Sequence, residues 1–477
     1  MFDYTATYTD QYQITMSQVY FHKGLKDEIA IFDYFFRKNP FEGGYVIFSG
    51  LEDFLKAVEN LHFDVKDIGF LRNEGMDEKF LDYLKEFRFN GHIYASKEGD
   101  LVFPNRPVIS VEAPIIEAQL LETLLLNTVN YQSLIATKAS RMKLSAGNRT
   151  LVDFGLRRAP GTGGYSASRA AVVGGFDATS NVRSGRDYQI PISGTMAHSF
   201  VQRYDDELSA FRDFAEVRPH DCVLLVDTYN TLKSGVPNAI TVGKEMKERG
   251  QKLKGIRLDS GDLAWLSKES RKMLDEAGLN QVKIAASNQL DEYVIKSLVH
   301  QEAPIDLFGV GTSLVTGRPD SALDGVYKLC YANNEPRLKL SETVEKINLP
   351  GKKQVYRLLN RDGSFYGGEV VALYDETGIS KMYHPSDPGQ SLDLDDFENE
   401  PLLSQVIKNG KRIDPPLELR EIAKFSRRQI QKLPYEFKRF KNPHVYKVGL
   451  SKSLKEERDR LVNLHKSKFD PDPDFKI

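Results

Sequence analysis

Cysteine is almost missing from this chain. Its 477 residues hold two, Cys222 and Cys330, too few for a disulfide framework or a cysteine zinc site. The nine histidines form no HxxxH or HExxH pair, so the sequence assigns no metal ligands. No apolar run approaches the roughly 18 residues that a membrane helix needs. The first residues, Met1-Phe2-Asp3-Tyr4-Thr5, are acidic and polar where a signal peptide is basic and then apolar. Excess charge is missing too. With 65 Lys+Arg against 67 Asp+Glu the net charge is −2, which argues against a dedicated nucleic-acid binder. Internal repeats and low-complexity segments are absent. What remains is the expectation of a soluble, cytoplasmic, globular protein with no membrane contact.

What is present fits that expectation. Forty per cent of the residues are hydrophobic and 28% charged, and the length corresponds to roughly three domains at about 150 residues each. Charge is uneven only near the C-terminus. Six acids fall between Asp387 and Glu400, and residues 406–477 carry 19 Lys+Arg against 10 Asp+Glu. That stretch reads either as a surface for anionic ligands or as a solvated face docked on an acidic neighbour.

Four regions follow from the patterning. Residues 1–112 mix amphipathic helices (51–58, 80–84) with short strands, and 92–95 and 101–103 read as a hairpin through Glu98-Gly99-Asp100. Residues 113–324 open with a long helix after Pro114, running to about Ala146 and stopped by Gly147-Asn148. Short apolar runs then recur at 151–154, 172–176, 189–192, 222–226, 255–258, 282–285 and 305–308, each followed by polar or glycine residues and a helical stretch. Strand alternating with helix predicts βαβ units on a parallel sheet, and seven units without a GxGxxG turn favour a compressed α/β barrel over an open dinucleotide-binding sheet. Residues 325–400 return to strands, with a hairpin turn at Asp362-Gly363, and are expected to pair with the N-terminal strands. Residues 401–477 form a basic tail ending in a helix, with Ser453 and Glu456 spaced as a capping box.

Barrel chemistry gathers at the C-terminal ends of the strands. The residues just past each run are Gly155-Leu156-Arg157-Arg158, Asp177, Gly194-Thr195-Met196-Ala197-His198-Ser199, Asp227-Thr228-Tyr229, Asp259-Ser260-Gly261-Asp262, Ser287-Asn288-Gln289 and Gly309-Val310-Gly311-Thr312-Ser313. Arginines, acids, hydroxyls and one histidine on a single mouth suit a phosphorylated sugar. Each junction alone is weak, since loops after barrel strands are polar anyway, and Ser260 or Asp262 equally suits a helix N-cap. His198 is followed by a hydroxyl and a helix start. A neutral imidazole there can accept a phosphoryl group, whereas a lone histidine elsewhere is usually a structural hydrogen-bonder.

These segments, in this order, resemble the nicotinate phosphoribosyltransferase family. The resemblance also covers Thr9-Asp10-Gln11-Tyr12, Gly174-Gly175-Phe176-Asp177, Ser234-Gly235-Val236-Pro237-Asn238 and Gly325-Val326-Tyr327-Lys328-Leu329, and it runs essentially from end to end. It implies an irregular TIM-like α/β barrel beside a discontinuous α/β sandwich domain, with a C-terminal helical tail. It implies formation of nicotinate mononucleotide and diphosphate from nicotinate and 5-phosphoribosyl 1-diphosphate, a ligase-type reaction coupled to ATP hydrolysis and assisted by Mg²⁺, in NAD salvage. Carried over by motif, His198 resembles the histidine that ATP phosphorylates. Tyr12 resembles an aromatic that stacks on the pyridine ring from the partner subunit of a homodimer. Thr195 and Arg257 resemble nicotinate contacts, Gly311 and Thr312 the phosphoribosyl phosphate site, and Arg157 and Asp259 contacts to the sugar diphosphate. Arg318 and Lys328 would add charge for phosphate, although Arg318 lies outside the most regular motifs. Three rivals stand beside this reading: a nicotinamide-using relative, a quinolinate-using relative, and a silent homologue acting as a binding protein. The intact His198, Arg257 and Asp259 argue against the last.

Overall fold

The computed structural model describes residues 4–340, 348–387 and 389–469; Met1, Phe2 and Asp3 and the end of the basic stretch, 470–477, lie outside them. The chain divides into two compact units, residues 135–321 and residues 1–134 with 322–477.

The 135–321 unit carries the α/β pattern. Its strands are Thr150–Asp153, Ala178–Thr179, Val223–Leu225, Gly255–Leu258, Lys283–Ser287 and Leu307–Val310. Side by side they run 178, 150, 307, 283, 255, 223, and every ladder is parallel. Leu151, Val152, Leu224, Ile256, Ile284 and Phe308 are fully buried, as expected of strands covered on both faces. A single parallel bridge from Thr179 to Ile192 extends one side of the sheet. The α/β class is therefore the one expected. Among the described residues no ladder joins 178–179 to 223–225.

Two of the expected apolar runs are not strands: 189–192 supplies only the single bridge at Ile192, and 172–176 closes a helix. Val172 and Val173 end the helix Gly163–Val173, and the chain turns at Gly174 and Gly175, the latter at φ +109°. Gly174 lets that turn lie on the long helix: a Cβ there would come within 2.2 Å of the Ala136 carbonyl oxygen. The long helix itself is as expected. It runs as Ile115–Leu120 and Glu122–Ala146 with a break at Leu121, and Gly147 ends it at φ +61°.

In the other unit the strand Ile29–Phe36 is flanked by Ile109–Pro114 and by Gly325–Ala332, both antiparallel, so two distant pieces of chain share one sheet. The expected 92–103 hairpin does not form. His92–Ala95 pairs with Ile109–Pro114 and Ser404–Lys408, whereas Leu101–Val102 pairs with Val46–Ile47. The side chain of Glu98 explains the departure, accepting from the Gly50 and Glu52 amides at 2.7 and 2.9 Å and tying the connection to the start of the helix Leu51–Glu59. The return strands also divide. Gly325–Ala332 joins the N-terminal sheet, while Lys353–Leu359 and Phe365–Leu373 form the hairpin turned at Gly363 (φ +75°) inside a separate six-stranded sheet. Past residue 400 the chain supplies strands to both sheets and the helices Leu419–Lys432 and Lys452–Phe469. The last helix is capped by Ser451, whose hydroxyl accepts from the Leu454 amide at 3.3 Å, rather than by Ser453. Among the described residues no helix is long and apolar enough to cross a membrane.

Candidate active site

Four of the expected site residues meet in the 135–321 unit. Arg257, on Gly255–Leu258, sends its Nη1 to the Thr195 hydroxyl at 3.1 Å and the Met196 carbonyl at 3.4 Å. Its Nη2 lies 3.0 Å from Asp259 Oδ1, its Nε donates to the Ser287 hydroxyl at 2.9 Å, and its guanidinium carbon sits 5.5 Å from the centre of the Phe154 ring. Asp259 Oδ2 is 3.7 Å from His198 Nε2, and the other ring nitrogen of His198 is 3.1 Å from the Thr228 hydroxyl. Thr195, Arg257, Asp259 and His198 thus form one continuous polar chain. His198 is the first residue of a short helix and remains 40% exposed, open to a reactant.

The loop geometry follows from the residues after each strand. The Asp227 carboxylate, beyond Val223–Leu225, accepts from the Asp259 amide at 2.9 Å and the Ser260 hydroxyl at 2.6 Å through one oxygen, and so fastens two neighbouring strand ends. Its other oxygen is buried without a hydrogen-bond partner. Asp262 caps the helix Leu263–Glu276 through the Ala264 and Trp265 amides, so of the two acids in that loop only Asp259 faces the site. Partial burial works against ionising Asp259, but the Ser287 hydroxyl, Arg257 and His198 outweigh it and hold the carboxyl below its ordinary range.

The remaining expected residues are not members of this chain of contacts. Arg157 is exposed on the turn Leu156–Arg158 after Thr150–Asp153. Gly311 and Thr312 open the helix Thr312–Val315 after Leu307–Val310, the strand paired with 150–153. Both loops therefore lie at the same end of adjacent strands, which are the second (307–310) and third (150–153) from the Arg257 strand. Arg318 is exposed in this unit. Tyr12 and Lys328 belong to the other unit, where Tyr12, on Gln11–His22, is 47% exposed with its hydroxyl 3.4 Å from Glu122. With that exposure Tyr12 is no part of the core. Thr228, Ser287 and Asp227 are site residues to which sequence reasoning gave no individual role. Their one signal was position, directly after a strand run. Both cysteines are buried, and burial pushes the Cys222 thiol up to about 12, so neither is a nucleophile candidate.

Family models for nicotinate phosphoribosyltransferase match nearly the whole chain: the N-terminal domain at residues 7–130, the family's central region at 150–358 and the C-terminal domain at 352–458. The chain belongs to the nicotinate phosphoribosyltransferase family. It is 43% identical to a nicotinate phosphoribosyltransferase of Bacillus subtilis, over 98% of this chain and 97% of that one. It is 40% identical to one of Mycobacterium tuberculosis, over 96% and 94%. The crystal structure of human nicotinic acid phosphoribosyltransferase superposes with a TM-score of 0.85 at 30% identity, covering 95% of this chain and 99% of that one. A nicotinate-nucleotide pyrophosphorylase from Pyrococcus furiosus shares the fold, with a TM-score of 0.70 at 24% identity over 90% and 95%. The connected residues Thr195, His198, Arg257 and Asp259 all fall inside the central family match.

Proposed function

We propose that this protein is a cytoplasmic, ATP-dependent nicotinate phosphoribosyltransferase, converting nicotinate and 5-phosphoribosyl 1-diphosphate to nicotinate mononucleotide and diphosphate for NAD salvage. The observation that carries the reading is the Thr195–Arg257–Asp259–His198 chain at the strand ends of a protein 43% identical to the Bacillus subtilis enzyme. Arg257 and the Thr195 hydroxyl receive the nicotinate carboxylate by charge-assisted hydrogen bonding. The pyridine nitrogen attacks the anomeric carbon, the bond from that carbon to diphosphate oxygen breaks, and positive charge grows on the ribose ring. Asp259, already ionised, faces that charge. Arg157, Gly311 and Thr312 hold the sugar's phosphates.

His198 runs the ATP cycle. A ring nitrogen attacks the γ-phosphorus, ADP leaves, and water later releases phosphate; the phosphorylated state favours the product-forming conformation. Mg²⁺ fits the acids present only in part. Among the described residues no group of three or more His, Cys, Asp or Glu is arranged to hold a metal. The unpartnered Asp227 oxygen is one suitable donor, with substrate phosphates supplying most of the others. When bound, the ion offsets the charge of the departing diphosphate. Tyr12 stacks on the pyridine ring of the neighbouring subunit in a homodimer. Incubating the purified protein with the sugar diphosphate, Mg²⁺ and either nicotinate or nicotinamide, with and without ATP, tests the reading. Product from nicotinate, enhanced by ATP, is expected; product from nicotinamide alone would overturn it.

A further inference from the structure

Ser287 has a place in the site that its position after a strand does not announce. It is the last residue of Lys283–Ser287, next to Gly255–Leu258 in the sheet, and only 3% exposed. Its hydroxyl accepts from Arg257 Nε at 2.9 Å and donates to Asp259 Oδ1, and that same oxygen receives Arg257 Nη2 at 3.0 Å. Three side chains thus close a ring of hydrogen bonds in which the serine oxygen is both acceptor and donor. The Leu258 carbonyl at 3.4 Å competes for the hydroxyl proton, but the Asp259 carboxylate is closer and charged.

The ring fixes what Arg257 can offer a ligand. Nε is spent on Ser287, Nη1 on Thr195 and Met196, and one Nη2 hydrogen on Asp259. A single Nη2 hydrogen is left for an incoming acceptor, and the plane of the guanidinium sets where it points. Contacts at Nε and at both terminal nitrogens prevent rotation of that plane, and the Nε contact depends on Ser287 alone. We propose that Ser287 is a positioning residue for nicotinate: it never touches the substrate, but it locks the Arg257 guanidinium so that its remaining N–H meets the carboxylate. The proposal rests on the reading of Arg257 as the nicotinate contact.

An alanine at 287 leaves Nε without its acceptor and frees the plane to turn. Separate calorimetric titrations of nicotinate and of 5-phosphoribosyl 1-diphosphate distinguish this from general damage. Ser287→Ala and the nearly isosteric Ser287→Cys, whose thiol hydrogen-bonds weakly, should each weaken nicotinate binding roughly tenfold and that of the sugar diphosphate, which Asp259 faces, much less. Ser287→Thr keeps the hydroxyl and should restore nicotinate binding. In an Arg257→Ala background, Ser287→Ala should cost nothing further. Equal loss for both ligands, or unchanged nicotinate binding in the two hydroxyl-deleted variants while Arg257→Ala weakens it, overturns the inference alone. If Arg257→Ala leaves nicotinate binding intact, the reading of Arg257 fails and takes the inference with it. A wild-type protein that does not bind nicotinate defeats the functional reading as a whole.

Discussion

His198 joins two properties that rarely coincide: it stays exposed, and both of its ring nitrogens face partners in the site. His198→Ala should abolish ATP turnover and leave slow, ATP-independent nucleotide formation, since the pyridine and sugar contacts are untouched. Incubation with γ-labelled ATP should give acid-labile, base-stable phosphate on the wild type only; equal label on the variant would remove the assignment. Asp259 gives a second test at this scale, in which the sign matters. Its carboxyl is held below the ordinary value near 3.9, so its ionised form contributes stability above that pH and loses it as the pH falls through the lower folded value. The gap in unfolding temperature between wild type and Asp259→Asn should therefore stay level from about pH 7 to 5 and close below about pH 4. A gap that closed as pH rose would reverse the inferred shift. How legible these residues were depended on what each one does. His198 and Arg257 stood out because their side chains are chemically distinctive and sit in a motif. Ser287 and Thr228 act only through neighbours far away in sequence, and nothing in a run such as Ala286-Ser287-Asn288 reveals a hydrogen-bonded ring.

Strands of the parallel sheet were legible wherever a short apolar run lay between polar clusters, as at 222–226, 255–258, 282–285 and 305–308. Val172-Val173-Gly174-Gly175-Phe176 meets the same description yet closes a helix, because a buried helix end and a buried strand share one apolar signature over five residues. The 92–103 hairpin failed for a different reason: a remote carboxylate contact at Glu98 overrode local turn chemistry. Elements also explain glycines that motifs leave ambiguous. Gly235 begins the helix Val236–Glu248, and a Cβ there would fall 1.8 Å from the Val226 carbonyl oxygen, with two more backbone atoms of Val226 within 2.9 Å. Gly194, in the loop leading to His198, has nothing within 4 Å of the same position. Gly235→Ala should cost at least about 1–3 kcal/mol in urea unfolding, because backbone has to move, whereas Gly194→Ala should stay within about 0.5 kcal/mol. Similar losses for the two would mean that Gly235 serves something other than close packing at the end of the 223–225 strand.

For the whole molecule, the proposed sharing of sites between subunits has the sharpest test. Tyr12→Ala and His198→Ala should each have little ATP-stimulated activity. If Tyr12 serves the neighbouring subunit, a mixed dimer carries one intact site and one doubly damaged site, so random mixing after reversible dissociation should restore about a quarter of full activity. No recovery would place Tyr12 in its own chain's site or outside any site. The order of the two compact units along the chain has another consequence. The unit built from residues 1–134 and 322–477 is interrupted by the whole of the other unit, and the strand Ile29–Phe36 receives its second neighbour only from Gly325–Ala332. On a ribosome adding about 5–20 residues per second, that strand waits roughly fifteen to sixty seconds for its partner to be made. Throughout that interval one edge of a strand rich in Ile, Phe and Tyr stands unpaired, an invitation to aggregation. Newly made chains are therefore vulnerable all the while the 135–321 unit is being made, until residue 332 has emerged, and a chaperone that covers apolar strand edges would raise the yield of this protein over that stage.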